Sequence, residues 1–311
     1  MKKILILAMS CNQELFIQQE IQLKNKLYAY DILNNKYPNI DFWIYTASED
    51  TKYHVNKQEH KIYVPADDTL GGTFEKTIKT LTLIESLKWD YDFILRTNCS
   101  TYINVELLNN FINNVNLDDK SIYTGGIYLT NNYTGPYNWC FYGLGNSLIL
   151  SKFWVNILVN NSNPKNITNY VVNKEEPYYK IDDNTIGLII NNYAFKNNMD
   201  MYDIWKTFKF PYVNNIPNDP YNYIIIPFRE YSPDNNRDNE KLAGERIHKQ
   251  IKNYDISKIP VNNILTNDMV HILDFDRKMH SVVKRSWAYE FLDVMSLPTY
   301  IKKILINNTN R

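Results

Sequence analysis

The sequence predicts an α/β fold in which helices flank a mostly parallel sheet. Short apolar segments at residues 3–8, 40–47 and 92–96 are typical of buried strands. Segments with apolar residues at helical spacing lie between them, at residues 12–33 and 71–89. This alternation of strand and helix favours right-handed crossovers between parallel neighbours.

Further elements follow in chain order. Residues 60–66 predict one more strand, and a helix is expected at 105–113. Other helices are expected from Ser151, in "IDDNTIGLIINNYAF" and in "NEKLAGERIHKQIKNY". The chain shows no internal repeat and no linker long enough to separate independent units, so we expect a single domain.

Composition restricts the partners of the protein. The 311 residues carry 34 basic and 34 acidic side chains, which argues against a nucleic-acid partner or an anionic membrane surface. No segment is apolar for long enough to predict a membrane span. Three cysteines are too few and too scattered for a disulfide framework or a zinc site. We therefore expect a cytoplasmic protein.

The strand predicted at residues 92–96 ends in polar residues, "RTNCS", before the helical pattern resumes. Open α/β sheets bind ligands at such strand ends. We therefore place a candidate site at Arg96, Thr97, Asn98 and Ser100.

Five segments resemble, in this order, the GT-A glycosyltransferases and among them the Fringe and β-1,3-galactosyltransferase family. They are "DTLGGTFEKTIKTL", "YDFILRTNCSTYIN", "YTGGIY", "FYGLGNSLILS" and "IDDNTIGLII". The resemblance covers residues 1–195 and implies a GT-A-type, Rossmann-like mixed sheet flanked by helices. It also implies that a sugar moves from a nucleotide sugar, most simply a UDP-sugar, to a glycan or another hydroxyl acceptor.

The resemblance divides the chain into parts of one domain. Residues 1–104 would form the nucleotide-sugar-binding half and residues 105–260 the acceptor half. Residues 261–311 are expected to form a helical extension packed on the same domain.

In this family the strand end carries an Asp-x-Asp run that holds a divalent cation against the diphosphate. Asn98 and Ser100 occupy those places here, so the family motif is degenerate and no carboxylate remains. Mg²⁺ and Mn²⁺ prefer carboxylate oxygens, so we expect no metal requirement, although an amide oxygen can still coordinate such ions weakly. Asn98 and Ser100 either contact the sugar nucleotide or only cap the following helix.

The resemblance places Asp182 and Asp183 at the position of the catalytic base, which deprotonates the acceptor hydroxyl and leads to inversion. A carboxylate at a helix N-terminus is stabilised by the helix dipole. Asp183 is the preferred base because it lies one residue further into the helix. The alternative is that this pair only caps the helix.

Without a metal, positively charged side chains would have to stabilise the departing diphosphate. The downstream candidates, of which the first is preferred, are Arg229, Arg237, Arg246 and Lys249. The alternative is that these are ordinary surface charges.

Glycines are concentrated in the middle of the chain, where they would let the backbone approach the donor. They are Gly125, Gly126, Gly143 and Gly145. Plain turns are the alternative explanation.

A rival hypothesis belongs to another class of function. The protein would keep the GT-A fold but would bind a glycan or a nucleotide sugar without catalysis, since the metal ligands are absent.

Overall fold

The computed structural model describes the chain except residues 49, 51, 131–139, 163–181, 200, 212–216, 229–238, 261–263, 266–268, 275–278 and 285–311. The helices are α1 Glu14–Lys26, α2 Tyr28–Leu33, α3 Thr73–Ser86, α4 Val105–Asn114, α5 Lys152–Asn161, α6 Asp182–Lys196, α7 Met201–Ile204 and α8 Asn239–Lys252.

The strands of the first half are β1 Ile4–Met9, β2 Ile40–Ser48, β3 His54–Asn56, β4 Lys61–Pro65, β5 Phe93–Asn98 and β6 Thr101–Ile103. Those of the second half are β7 Ile122–Thr124, β8 Ile127–Thr130, β9 Cys140–Gly143, β10 Leu148–Ser151, β11 Trp205–Thr207, β12 Ile225–Pro227, β13 Met269–Asp274 and β14 Met279–Lys284. Each strand and helix predicted above from residue patterns has a counterpart here.

The main sheet is mixed and has the strand order β11-β7-β10-β5-β1-β2-β4-β3. Strands β5, β1, β2 and β4 run parallel to one another, whereas β10 is antiparallel to both β5 and β7. The predicted α/β fold with a mixed sheet flanked by helices is confirmed. The strands contributed by the two predicted halves join in this one sheet, and the proposed boundary at residue 104 stays a prediction.

Helices cover both faces of the main sheet. Successive side chains of a strand point to opposite faces, so each strand contributes to two cores. In β1, Leu5 and Leu7 pack in a core with α3, α5 and α6. Ile4 and Ile6 pack in a second core with α1, α2, α4 and α8. The central strands therefore need apolar residues at every position, which explains the continuous apolar segments of the sequence.

Two smaller sheets complete the fold. One pairs β6 with β12, and the other has the order β14-β13-β8-β9. Within residues 261–311, the described part thus contains the hairpin of β13 and β14 instead of a helix. This corrects the expected helical extension for these segments, where pairing of β13 with β8 stabilises extended chain. Residues 285–311 lie outside the described residues.

Over the described part of the chain, no helix combines the length and the apolar character needed to cross a membrane.

Candidate functional site

A cavity of about 380 Å³ lies at the edge of the main sheet where β1 and β5 end. Its walls come from the residues after these strands, from the segment before α3, and from the first turns of α1 and α3. Ligands of open α/β sheets bind at the carboxyl ends of the strands. This cavity is therefore the candidate site.

The strand-end residues Asn98 and Ser100 both line the cavity. The side-chain oxygen of Asn98 is buried and has no hydrogen-bond partner among the described residues. Helix α4 is capped by Asn104, whose side chain accepts a hydrogen bond from the backbone N–H of Leu107 at 3.2 Å. Because Asn104 caps the helix, the Asn98 amide is left for a ligand, and its contact with the donor stays a prediction.

Arg96 and Thr97 have positioning contacts instead of lining the cavity. The Arg96 guanidinium is buried and donates to the carbonyl of Gly145 and, at 3.2 Å, to the hydroxyl of Tyr45. Thr97 Oγ1 donates to the carbonyl of Asn146 at 2.8 Å. Two side chains at the end of β5 thus hold the short 3₁₀ turn Gly145–Ser147, and Asn146 of this turn lines the cavity.

Asp183 lies close to the same turn but does not line the cavity. A Cβ atom added to Gly145 would lie 2.8 Å from Arg96 Nη1 and 3.3 Å from Asp183 Cβ, so arginine, glycine and aspartate are close neighbours. Burial raises the pKa of Tyr128 to about 12, and the negative charge of Asp183 adds to this effect. Asp183 is partly buried at the first turn of α6. The side chain of Asp182 lies outside the described residues.

Helix α6 is held against β9 by two features of its own sequence. The Asn191 amide donates to the carbonyl of Phe141 at 2.6 Å and accepts from its N–H at 3.4 Å. Gly187 lets the helix approach closely, because an added Cβ would lie 2.6 Å from the carbonyl oxygen of Phe141 and would clash with Tyr142. The position of Asp183 therefore depends on this contact between α6 and β9.

The other predicted glycines approach protein groups. A Cβ on Gly125 would clash with the ring of Phe210, and one on Gly143 would lie 2.9 Å from Thr124 Oγ1. The carbonyl of Gly126 accepts from the N–H of Leu144 at 3.1 Å. These glycines pack the chain around the turn before β10, and they do not line the cavity.

The predicted cations that the structure describes lie away from the cavity. Arg246 and Lys249 are exposed on α8 and do not line the cavity. Arg229 and Arg237 lie outside the described residues. The chain reaches that segment directly from the cavity wall, since Pro227 lines the cavity and the N–H of Phe228 donates to the carbonyl of Ser100 at 2.8 Å.

The residues that sequence reasoning missed are Lys76 and Asp68. Lys76 lines the cavity although it is only 2% exposed, and its ammonium lies 2.8 Å from Asp68 Oδ1 and 3.1 Å from the carbonyl of Ser10. Asp68 Oδ2 accepts from the N–H of Asn12 at 2.6 Å. A signal was present in the sequence, because Lys76 lies four and eight residues before the buried Thr80 and Ile84 on one face of α3.

The described residues that line the cavity offer few ligands for a divalent cation. Among the described residues that line it, Asp68 supplies the one carboxylate, and both of its oxygens already accept from protein groups. The described residues also contain no group of three or more His, Cys, Asp and Glu side chains that could hold a metal. Hard cations prefer carboxylate oxygens, and Asp68 is the one carboxylate that the described lining residues supply.

Cys11 offers a direct probe of the cavity, which it lines in a partly buried position. Burial raises the pKa of its thiol, so less reactive thiolate is present at neutral pH than in a free cysteine. In a Cys140→Ser background we expect iodoacetamide to label Cys11 slowly, faster as pH rises, and more slowly again when UDP or GDP is added. Cys99 is fully buried and should not react in the folded protein. Mass spectrometry of the labelled peptides would measure the labelling of Cys11 and of Cys99. Labelling of Cys11 that neither nucleotide slows would contradict nucleotide binding in this cavity.

Comparisons with known proteins leave the family open. No family model matches the chain, and no curated protein matches its sequence. Among solved structures, it is similar to a glycosyltransferase involved in the glycosylation of the major capsid of PBCV-1. That similarity has a TM-score of 0.41 at 12% sequence identity and covers 78% of this chain and 99% of the other.

Proposed function

We propose that this protein is a glycosyltransferase that moves a sugar from a nucleotide sugar to a hydroxyl acceptor. The observation that carries the proposal is one arrangement at the carboxyl edge of the sheet. A cavity at the ends of β1 and β5 is lined by Asn146 of the turn Gly145–Ser147, and the partly buried Asp183 lies close to Gly145 of the same turn. A donor in the cavity would have its reacting carbon near that turn and Asp183.

The chemistry assigned to Asp183 is general base catalysis. Its carboxylate takes the proton of the acceptor hydroxyl as the hydroxyl oxygen attacks the anomeric carbon. The bond between this carbon and the phosphate oxygen breaks, and the nucleoside diphosphate leaves. A single displacement inverts the configuration at the anomeric carbon. Because α6 is anchored on β9 through Asn191, the carboxylate is held in place before the acceptor binds.

The proposed reaction needs no divalent metal. The support is the donor set, since the strand-end residues are the neutral Asn98 and Ser100 and the carboxylate of Asp68 already accepts from Lys76 and Asn12. Positive groups of the protein would stabilise the departing diphosphate.

The test is to incubate the purified protein with a panel of UDP-, GDP- and CMP-sugars and simple glycoside acceptors, with and without EDTA. Released nucleotide and the glycosylated product are then measured. We expect one donor to be consumed at a rate that EDTA leaves largely unchanged. Activity that appears only with added Mn²⁺ would contradict metal independence. Addition of Mg²⁺ or Zn²⁺ to the EDTA-treated protein is the control for the identity of the metal.

A binding protein without catalysis is the second candidate, and the absence of strand-end carboxylates favours it. Thermal shift measurements with the same donors separate the two functions. Stabilisation by a nucleotide sugar that is never cleaved would support the binding protein and contradict the transferase.

A further inference from the structure

We infer that Lys76, together with the N-termini of α1 and α3, binds the diphosphate of the donor. The inference rests on the proposed function, and it assigns the anion-binding role to a residue other than the downstream arginines.

Lys76 is the cationic side chain among the described residues that line the cavity. An ammonium group has three N–H donors, and two are directed at Asp68 Oδ1 and at the Ser10 carbonyl. Because the side chain is 2% exposed, water screens its charge poorly, and a phosphate oxygen in the cavity would be attracted more strongly than at the surface.

Two helix N-termini lie at the same cavity. Gln13 and Phe16, at the start of α1, line it, and so do Leu70, in the 3₁₀ turn Leu70–Gly72 before α3, and Thr73, the first residue of α3. Helix α1 has 13 residues, and its N-cap residue Gln13 forms no side-chain capping hydrogen bond. Helix α3 has 14 residues and continues the 3₁₀ turn Leu70–Gly72, in which the N–H groups of Gly72 and Thr73 bond to the carbonyls of Thr69 and Leu70. Each helix end carries a partial positive charge of about 0.5, which attracts phosphate oxygens.

The charges that line the cavity are Lys76 and Asp68, and the two helix ends add partial positive charge. The exposed Glu14 and Glu75, in the first turns of these helices, do not line the cavity, and Glu75 pairs with Lys79. Asp68 compensates the buried ammonium before the ligand binds and competes with the ligand afterwards. Removal of the Asp68 charge should therefore strengthen diphosphate binding if Lys76 binds the ligand, whereas a purely structural role for Lys76 predicts no such gain.

The experiment measures the affinities of uridine, UDP, guanosine and GDP in EDTA by calorimetry and compares each nucleoside with its diphosphate. In the unmodified protein we expect at least one diphosphate to bind more tightly than its nucleoside. Lys76→Gln should reduce this gain about 10- to 100-fold, the range for a lost charge-assisted hydrogen bond. Asp68→Asn should increase it, because the competing charge is gone while an oxygen remains for the N–H of Asn12.

Lys79→Gln is the matched control, since Lys79 lies on the same helix and bonds to Glu75 and to the carbonyl of Pro65 outside the cavity. It should leave the gain unchanged. The inference is overturned if neither diphosphate gains affinity in EDTA, if Lys76→Gln weakens nucleoside and diphosphate equally, or if Asp68→Asn weakens diphosphate binding. Circular dichroism checks that the variants fold, and Asp68→Asn keeps the test decisive if Lys76→Gln does not.

Sugar transfer is assayed separately, so the two proposals fail differently. A diphosphate gain that depends on Lys76 without any transfer would retain this inference and contradict the transferase. Transfer without such a gain would support the transferase and contradict this inference.

Discussion

Asp183→Asn is expected to lower the rate of sugar transfer by about 10²- to 10⁴-fold, the contribution typical of a general base. The amide keeps the shape of the side chain but cannot take the proton of the acceptor. Donor affinity should not fall, because Asp183 does not line the cavity. The measurement is the turnover rate with the best donor of the panel, together with calorimetry of that donor's nucleotide.

The matched control is Asp203→Asn, which removes a carboxylate from α7 whose side chain is 77% exposed. It should leave transfer unchanged. Full activity of Asp183→Asn would contradict the assignment of the base, and loss of activity in both variants would point to a general effect of charge.

Gly187→Ala is expected to destabilise the protein by about 3 kcal/mol and to impair transfer as well. The new methyl group would meet the backbone of β9 at Phe141 and Tyr142, which cannot move aside as a flexible side chain can. Helix α6 would have to shift, and Asp183 at its first turn would shift with it. Denaturant unfolding and the transfer assay measure the two effects.

Gly244→Ala in α8 is the control for the intrinsic preference of helices for alanine. Its added Cβ would lie 3.0 Å from the terminal methyl of Leu27 and 3.1 Å from the ring tip of Phe228, which are side-chain ends. We expect a change within about 1 kcal/mol, because the gain in helix propensity offsets mild crowding. Equal destabilisation by both substitutions would contradict the close contact between α6 and β9.

The sheet and its helices could be predicted because local patterns determine them. Strands β1, β2 and β5 are buried on both faces, so they appear as continuous apolar segments, and α3 shows helical spacing of buried residues. The hairpin of β13 and β14 could not be predicted in this way. Its pairing with β8 joins segments about 140 residues apart in sequence, and such long-range pairing overrides local propensity.

The candidate site was predictable only in part. The strand end at Asn98 was evident, since polar residues interrupt an apolar strand. The roles of Arg96 and Thr97 were not, because the turn that they hold lies about 50 residues further along the chain. Lys76 was overlooked for a different reason, because a lysine in an amphipathic helix is normally assigned to the solvent side.

The most direct measurement is a crystal structure of the protein with bound UDP or GDP, whichever binds more tightly. We expect the diphosphate within hydrogen-bond distance of Lys76, a ribose or phosphate group against Asn98, and an open path from the β-phosphate towards Asp183. A nucleotide bound away from the ends of β1 and β5, or one whose β-phosphate points away from Asp183, would contradict the proposed site.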